Sequence, residues 1–345
     1  MHIETIDPTR ETAWDEFLER TPQATVFHTS GWARVLSETY RFTPRYVVAR
    51  NNGHINAGIP LFEVGGGRLV GLPFSDLSPP LLGAGSRVAL LAATKQLIAE
   101  RGSPAIELRG GAQIDLEAQG FQKGEAFYHH VIALDGTIDE LETRWHPSAR
   151  RAIRKSERAG VTVRESTSLD DMRAFYELHS LTRKKKHGLI PQPWSFIENI
   201  HRQHIAEGPG CILLAEHDGK AIAADVLLGF KDTLVYKFNA SDPAYLEMRP
   251  NNLLLRRAIE LGIERGYAWL DLGRCDADAE GLRRFKLLWG SIERPLHYFY
   301  YPSYAASAPL PGSTNVKRRL LGLSVRYAPA WALQRASAAL YRSFA

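Results

Sequence analysis

The sequence has few cysteines and no long apolar runs. Only Cys211 and Cys275 occur in 345 residues, too few for a disulfide framework and without the spacing of a zinc site, so we expect reduced thiols and no metal. No apolar run approaches the roughly 20 residues of a membrane-spanning helix, and the opening MHIETIDPTRETAWDEF lacks the parts of a secretory signal. These absences predict a cytoplasmic protein.

Acidic residues are missing from one part of the chain. Residues 313–345 contain six Lys and Arg but no Asp or Glu, which leaves 37 basic and 38 acidic residues elsewhere. A body that binds nucleic acid through uniform basic charge is therefore not expected. Residues 306–345 alternate basic and apolar side chains at helical spacing, which predicts a basic amphipathic helical tail. Peripheral contact with an anionic membrane and docking on the protein body both suit such a tail.

An internal repeat and the length both indicate two domains. Single cores stop growing near about 250 residues. Residues 90–108 align without a gap with residues 254–272 and match at seven of 19 positions, among them the shared Glu-Arg-Gly. We therefore expect domains at 1–145 and 146–305, followed by the tail at 306–345.

Hydrophobic periodicity gives both halves the same order of elements. In the second half the order is β-α-α-β-β-β-α-β-α-β, with strands at 161–165, 211–217, 220–230, 233–240, 269–272 and 294–301 and helices at 170–186, 194–206, 251–265 and 280–289. This is the order of the GNAT acyltransferase fold, in which a mixed sheet splays between its fourth and fifth strands and the acyl donor lies in the gap. The expected fold class is α/β, a mixed sheet in two tandem GNAT folds.

Three stretches carry a more specific resemblance. They are FHTSGWARVL at 27–36, RRAIRKSERAGV at 150–161, and RGYAWLDLG followed by LRRFKLLWG at 265–273 and 282–290. They resemble the Fem-type peptidyltransferases and the related BioF2-like acetyltransferases, which are built from two GNAT-like domains. The element Phe285-Lys286-Leu287-Leu288-Trp289-Gly290 is the most distinctive. Fem enzymes add amino acids from aminoacyl-tRNA to the peptide of a cell-wall precursor, and many relatives lie near exopolysaccharide or lipid pathways.

Two departures from the family pattern leave the acyl donor open. Residues 178–194 have no room for the helical arm that is thought to meet tRNA, and residues 247–252 read EMRPNN in place of the GNAT pyrophosphate loop. The helix start after Pro250 still offers backbone N–H groups to a phosphate, which makes Asn251 and Asn252 the candidate cofactor contacts. Acyl-CoA and aminoacyl-tRNA both remain candidate donors.

Acyl transfer to an amine needs a base and a group that stabilises the oxyanion. Lys286 is the candidate for the oxyanion, although a lysine whose head reaches water would fit the pattern as well. Asp271 and Asp276 lie on or after the fifth strand, where either could act as the base. The alternative for this acidic loop is structural, with Asp278 or Glu280 capping the next helix.

Basic residues suggest where an acceptor binds. Arg151 and Arg154, with Lys155 and Arg158, share one side of a helix and suit phosphates, although solvated charge gives the same pattern. The resemblance implies an acceptor contact at Arg183 or Lys185 and further substrate contacts at Arg34 and Trp289. His201 and His204 lack a third metal ligand.

The sequence thus predicts an acyl- or aminoacyltransferase that acylates an amine on a peptidoglycan, exopolysaccharide or lipid-linked envelope precursor. The distinctive lysine element occurs only in the second half, so we expect catalysis there. Two alternatives stay open: a CoA-dependent N-acetyltransferase with a small-molecule acceptor, and a non-catalytic binding module.

Overall fold

A computed structural model describes residues 1–83, 85–110, 115–303, 337 and 341. They form two compact units, one with residues 1–127, 295–303 and 341 and the other with residues 128–294 and 337. The division therefore falls at 127/128 rather than at the expected 145/146. The reason is that Leu134, Leu141 and Trp145 pack in the core of the second unit.

The first unit contains two sheets and three helices among its described residues. Its strands are β1 (His2–Ile6), β2 (Thr43–Pro44), β3 (Tyr46–Asn51), β4 (His54–Ile59), β5 (Phe62–Glu63), β6 (Leu69–Val70) and β7 (Ile106–Arg109), and its helices are α1 (Thr12–Glu19), α2 (Ser30–Tyr40) and α3 (Arg87–Arg101). One sheet has the order β1-β3-β4, and the other has the order β2-β5-β6-β7. Strand β8 (Gln122–Ala133) then runs from the first unit into the second.

The second unit has one twisted sheet with the strand order β8-β13-β12-β11-β10-β9. Its further elements are α4 (Ile138–Arg144), α5 (Pro147–Arg158), β9 (Thr162–Ser166), α6 (Leu169–Leu181), α7 (Trp194–Ile200), β10 (Cys211–His217), β11 (Lys220–Phe230), β12 (Thr233–Ser241), α8 (Pro250–Glu264), β13 (Trp269–Asp276) and α9 (Glu280–Leu287). Strand β14 (Ile292–Tyr301) returns the chain to the first unit, where it pairs with β7. The α/β class and the GNAT order of elements are confirmed.

The repeat is visible in the pairing of strands. In the first unit β6 and β7 are parallel and are joined through α3, and in the second unit β12 and β13 are parallel and are joined through α8. Parallel neighbours need such a crossover connection. The repeated sequence segments therefore encode the same helix-strand unit.

Helix α8 is the central helix of the second core. Its apolar face contributes residues such as Leu254, Ala258 and Ile259, none of which is more than 1% exposed. Gly262 allows a close contact inside this helix, since a Cβ there would lie 2.5 Å from Leu134 Cδ1 and the Leu134 side chain would have to shift. The close approach brings the helix against the chain that follows β8.

The sheet of the second unit opens between β12 and β13. Their parallel register runs through Thr233–Trp269 and Leu234–Leu270 and ends at Val235–Asp271, although both strands continue. We call the separated parts, residues 236–241 and 272–276, the splay. The predicted separation of the fourth and fifth strands is thus present, and β13 is four residues longer than expected.

Some boundaries differ from expectation. Helices α6 and α7 each stop early and continue as π-helical turns, Thr182–His187 and His201–Ile205. Residue Ala279, not Asp278 or Glu280, precedes α9, and no side chain caps that helix. The structural alternative proposed for the acidic loop was therefore wrong.

The predicted tail lies almost wholly outside the described residues. At its two described positions, Ser337 Oγ donates to the Pro191 carbonyl at 2.6 Å, and the Tyr341 ring lies 5.8 Å from that of Phe74. Both residues therefore contact the protein body. Within the described residues, no helix combines the length and apolar character needed to cross a membrane.

Candidate active site

A His–Asp pair lies where the splay begins. Asp271 is the last β13 residue that pairs with β12, and its Oδ1 is 2.8 Å from His129 Nε2 on β8. The same oxygen accepts the Gly273 N–H at 2.7 Å. The two side chains are only 10% and 13% exposed. This bond assigns the proton of a neutral His129 ring to Nε2, which makes Nδ1 the acceptor nitrogen.

The surroundings of Asp271 keep its carboxylate ionised. Burial alone raises the pKa of Asp271, but the charge and hydrogen bond of His129, the Gly273 N–H and the charge of Lys286 outweigh it and lower the pKa. An ionised Asp271 orients the His129 ring and stabilises its protonated form, as a carboxylate does in a catalytic His–Asp pair.

Lys286 is buried beside this pair. It is 5% exposed, and its Nζ donates to the carbonyls of Gly273 and Arg274, both at 2.9 Å, on the β13 side of the splay. Of the eight residues of α9, only this lysine is buried, while Leu282 and Leu287 are exposed. The alternative that its head reaches water is wrong. A helix that directs an ammonium inward and two leucines outward is unusual, because charged side chains are rarely buried.

A second histidine supports the buried side of this cluster. His130 Nε2 lies 3.3 Å from Cys275 Sγ, and its Nδ1 lies 3.2 Å from Ser291 Oγ. Burial and then the charge of Lys286 lower the pKa of His130 to about 4, against the opposing charge of Glu293. Burial also raises the pKa of the Cys275 thiol. A neutral ring and a protonated thiol add no positive charge beside the Lys286 ammonium.

A separate polar cluster lies on the β12 side of the splay. Asp225 of β11 is fully buried, and its Oδ1 accepts Asn239 Nδ2 at 2.7 Å. The same Nδ2 lies 3.3 Å from Asn251 Oδ1, at the first turn of α8. Burial raises the pKa of Asp225 to about 7, opposed only by hydrogen bonds from Asn239 and Tyr236. Within the described part of the chain, Asp225 Oδ2 has no hydrogen-bond partner.

This buried carboxyl predicts a pH-dependent stability. Because the folded-state pKa of Asp225 lies above its ordinary 3.8, its contribution is fully present below about pH 4 and is lost as the pH rises through about 7, by up to about 4 kcal/mol. Tyr236 is the titratable group that faces Asp225. Burial raises the pKa of Tyr236 well above its ordinary 10, so it stays neutral over this pH range. We expect Asp225→Asn to raise the melting temperature at pH 8 by several degrees and to flatten the loss between pH 4 and 7.

Thermal unfolding of both proteins at pH 4, 6 and 8 measures this difference. Asp232→Asn, at an exposed turn, is the matched control and should leave the pH dependence of the wild type unchanged. Parallel pH curves for the wild type and Asp225→Asn would contradict the assignment.

The predicted phosphate-binding cations lie on one helix, as expected. Arg151 and Arg154 of α5 are exposed, together with Lys155 and Arg158. Lys155 Nζ is 3.3 Å from Glu247 Oε2, a surface pair that contributes little energy. Arg183 and Lys185 occupy the π-helical turn after α6, where Arg183 is half-buried and Lys185 is exposed.

The other predicted site residues are distributed differently. Asp276 is exposed at the end of β13. Asn251 and Asn252 lie in the first turn of α8, but the Asn251 side chain belongs to the Asp225 cluster. Arg34, in the first unit, donates to Ser30 Oγ and the Thr9 carbonyl.

Trp289 corrects one expectation. It is 1% exposed, and its ring centroid lies 4.7 Å from that of Trp145 in the core of the second unit. A side chain so enclosed supports the end of α9 and has no open face for a substrate.

Sequence reasoning missed His129 and Asp225. The available signals were the two adjacent histidines at 129 and 130 and the single acid inside the apolar run AIAADVLLGF. Among the described residues, no group of three or more His, Cys, Asp or Glu is arranged to hold a metal ion.

A family match covers most of the second unit. Residues 146–291 match the acetyltransferase (GNAT) domain family. This segment of the chain is similar to a GNAT acetyltransferase domain. The match confirms the predicted GNAT relationship and the acyltransferase class. The family segment includes Asp225, Asp271 and Lys286, and β8 with His129 precedes it.

Solved structures share the fold over most of the chain. FemX is 16% identical with a TM-score of 0.68, and the alignment covers 86% of this chain and 97% of that one. L-PGS from Bacillus licheniformis is 15% identical with a TM-score of 0.60, at 90% and 96% coverage. A tandem GNAT protein from the clavulanic acid biosynthesis pathway is 12% identical with a TM-score of 0.52, at 87% and 98% coverage. No curated protein sequence matches the chain.

Proposed function

We propose that this GNAT domain transfers an acyl or aminoacyl group to an amine on a cell-envelope precursor. The observation that carries the proposal is the buried Lys286 ammonium at the splay, beside the Asp271–His129 pair. The Lys286 ammonium supplies a positive charge for the oxyanion, and the His129–Asp271 pair supplies a base. These are the two requirements of acyl transfer to an amine.

The reaction follows from these groups. The acceptor amine attacks the donor carbonyl, a C–N bond forms, and the carbonyl oxygen becomes an oxyanion that the Lys286 ammonium stabilises. His129 takes the proton from the attacking nitrogen, and Asp271 stabilises the resulting imidazolium. The bond between the carbonyl carbon and the leaving thiolate or alkoxide then breaks, and the proton held by His129 neutralises the leaving group.

The charge on α5 supports an acceptor that carries phosphate. Arg151 and Arg154 are exposed one helical turn apart, a spacing that lets two guanidinium groups bind one phosphate or a diphosphate. FemX and L-PGS share this fold, and the sequence resembles Fem-type enzymes. We place the reaction in the cytoplasm, at the inner membrane face when the acceptor is lipid-linked.

A CoA-dependent N-acetyltransferase is the second candidate. The matching family is described as an acetyltransferase domain, which favours an acetyl donor. One contact argues against a CoA donor. The start of α8 would bind the donor phosphates, but the Asn251 side chain there is already bonded to Asn239.

A ligand screen separates the two candidates. We expect an aminoacyl donor and a diphosphate-linked precursor each to raise the melting temperature, since a ligand that binds only the folded state stabilises it by mass action. The screen compares acetyl-CoA, longer acyl-CoAs, aminoacyl-tRNA and UDP-linked cell-wall precursors. Stabilisation by CoA alone, with no effect of any precursor, would support the N-acetyltransferase instead.

A double variant tests the proposed acceptor site on α5. The double variant Arg151→Ala, Arg154→Ala should weaken binding of the precursor by about tenfold or more, since charge-assisted phosphate contacts contribute about 1.5 to 3 kcal/mol each. The rise in melting temperature caused by the acyl donor should stay unchanged. Arg173→Ala, on the exposed face of α6, is the matched control. An equal loss in both would indicate general charge attraction rather than an acceptor site.

A further inference from the structure

The Asp225 cluster, formed by Asp225, Asn239 and Asn251, has the properties of a cation-binding site. Asp225 is fully buried, and no Lys or Arg among the described residues forms an ion pair with it. A buried carboxylate without a counter-ion is costly to the fold. Such a cost is typical of a group kept for function rather than for stability.

One nitrogen already occupies the centre of this cluster. Asn239 Nδ2 lies 2.7 Å from Asp225 Oδ1 and 3.3 Å from Asn251 Oδ1. These two oxygens are the acceptors that an ammonium nitrogen needs, and Asp225 Oδ2 adds a third that is unpartnered within the described residues. The amide nitrogen therefore stands in for an ammonium nitrogen.

The Asn239 side chain can move away from Asp225 without disturbing the core. Asn239 is exposed, so rotation of its side chain would carry Nδ2 toward solvent and open the position above Asp225. Asn239 lies on β12 four residues beyond Val235, where pairing with β13 ends. Asn239 therefore lies on the part of β12 that has separated from β13.

We propose that Asp225 and Asn251 form a subsite for a primary ammonium group of the substrate, which takes the place of the Asn239 amide nitrogen. The inference rests on the proposed function, because the splay is then the place where the substrates meet. The helix dipole of α8 opposes a cation there with about half a charge, less than the full charge of the carboxylate. A group held by Asp225 stays protonated, so it is distinct from the amine that attacks.

Binding of small amides tests the subsite without turnover. At pH 7.5, calorimetry on the full chain should find L-alaninamide bound at least tenfold more tightly than N-acetyl-L-alaninamide, which carries no charge. Asp225→Asn should abolish that preference. Asn239→Ala should bind L-alaninamide severalfold more tightly than the wild type, because no side-chain nitrogen competes for the position. Asp232→Asn should keep the wild-type preference.

The outcomes separate the possibilities. Equal binding of the two amides by the wild type, a preference retained in Asp225→Asn, or weaker binding by Asn239→Ala each overturns the subsite. A purely structural Asp225 predicts altered stability with no change in this preference.

A second comparison of ligands identifies which substrate supplies the ammonium group. Tighter binding of L-alaninamide than of n-butylammonium assigns the subsite to the α-ammonium of an aminoacyl donor, and the reverse order assigns it to a side chain of the acceptor. Loss of acyl transfer with the amide preference intact counts against the proposed function alone. Transfer without the preference counts against the subsite alone.

Discussion

Replacement of Lys286 by Met should lower kcat by about 10²- to 10³-fold, the loss seen when an enzyme loses one donor to its oxyanion. Met keeps the length and the apolar stem of the side chain but removes the charge that lies beside Asp271 and His130. Since the oxyanion exists only in the transition state, kcat and kcat/KM should fall by the same factor.

The control must separate chemistry from structure, because Nζ also binds the Gly273 and Arg274 carbonyls. Lys286→Arg keeps the charge and should recover part of the rate, whereas Lys123→Met, at an exposed site in the first unit, should have no effect. Unchanged kcat in Lys286→Met would remove the lysine from the mechanism. A raised KM with unchanged kcat would assign it to binding.

Replacement of His129 by Gln should lower kcat by about 10²- to 10⁴-fold, which is the usual contribution of a general base. Gln can place its Nε2 where the histidine Nε2 lies, so the bond to Asp271 Oδ1 and the local fold should persist. What the variant lacks is a nitrogen that accepts the proton of the attacking amine.

The pH profile gives the decisive measurement for His129. A base acts only when unprotonated, so the wild-type rate should fall on the acidic side, and this limb should be absent in His129→Gln. His54→Gln, exposed in the first unit, is the matched control. An acidic limb that survives in His129→Gln would point to another base, with Asp276 at the exposed end of β13 as the next candidate.

Much of the fold could be predicted because local patterns and the repeat agree. Helix α8 and strand β13 begin within a residue of their predicted starts. These elements bury regular apolar faces, so composition at helical or strand spacing is enough to find them. The end of β13 was missed because the strand continues through polar residues once it has left β12.

The candidate site was only half predictable. Lys286 and Asp271 lie within a motif, whereas His129 is 142 residues from Asp271 along the chain, and only the pairing of β8 beside β13 brings it near. Asp225 sits in an otherwise apolar strand, where its role depends on Asn239 across the sheet. Trp289 belonged to the same motif as Lys286, but the turn after α9 directs it into the core.

Helix α9 differs from α8 in what attaches it to the unit. Phe285 of α9 packs against the core, but Leu282 and Leu287 are exposed. Much of the attachment of α9 therefore comes from directional bonds, namely those of Lys286 to β13 and the paired contacts of Arg283 with Glu293 at 2.6 and 2.7 Å. Apolar burial weakens on cooling, whereas such bonds do not share that dependence. Local opening of α9 should therefore respond to temperature differently from the rest of its unit, because Lys286 also holds its own helix to β13.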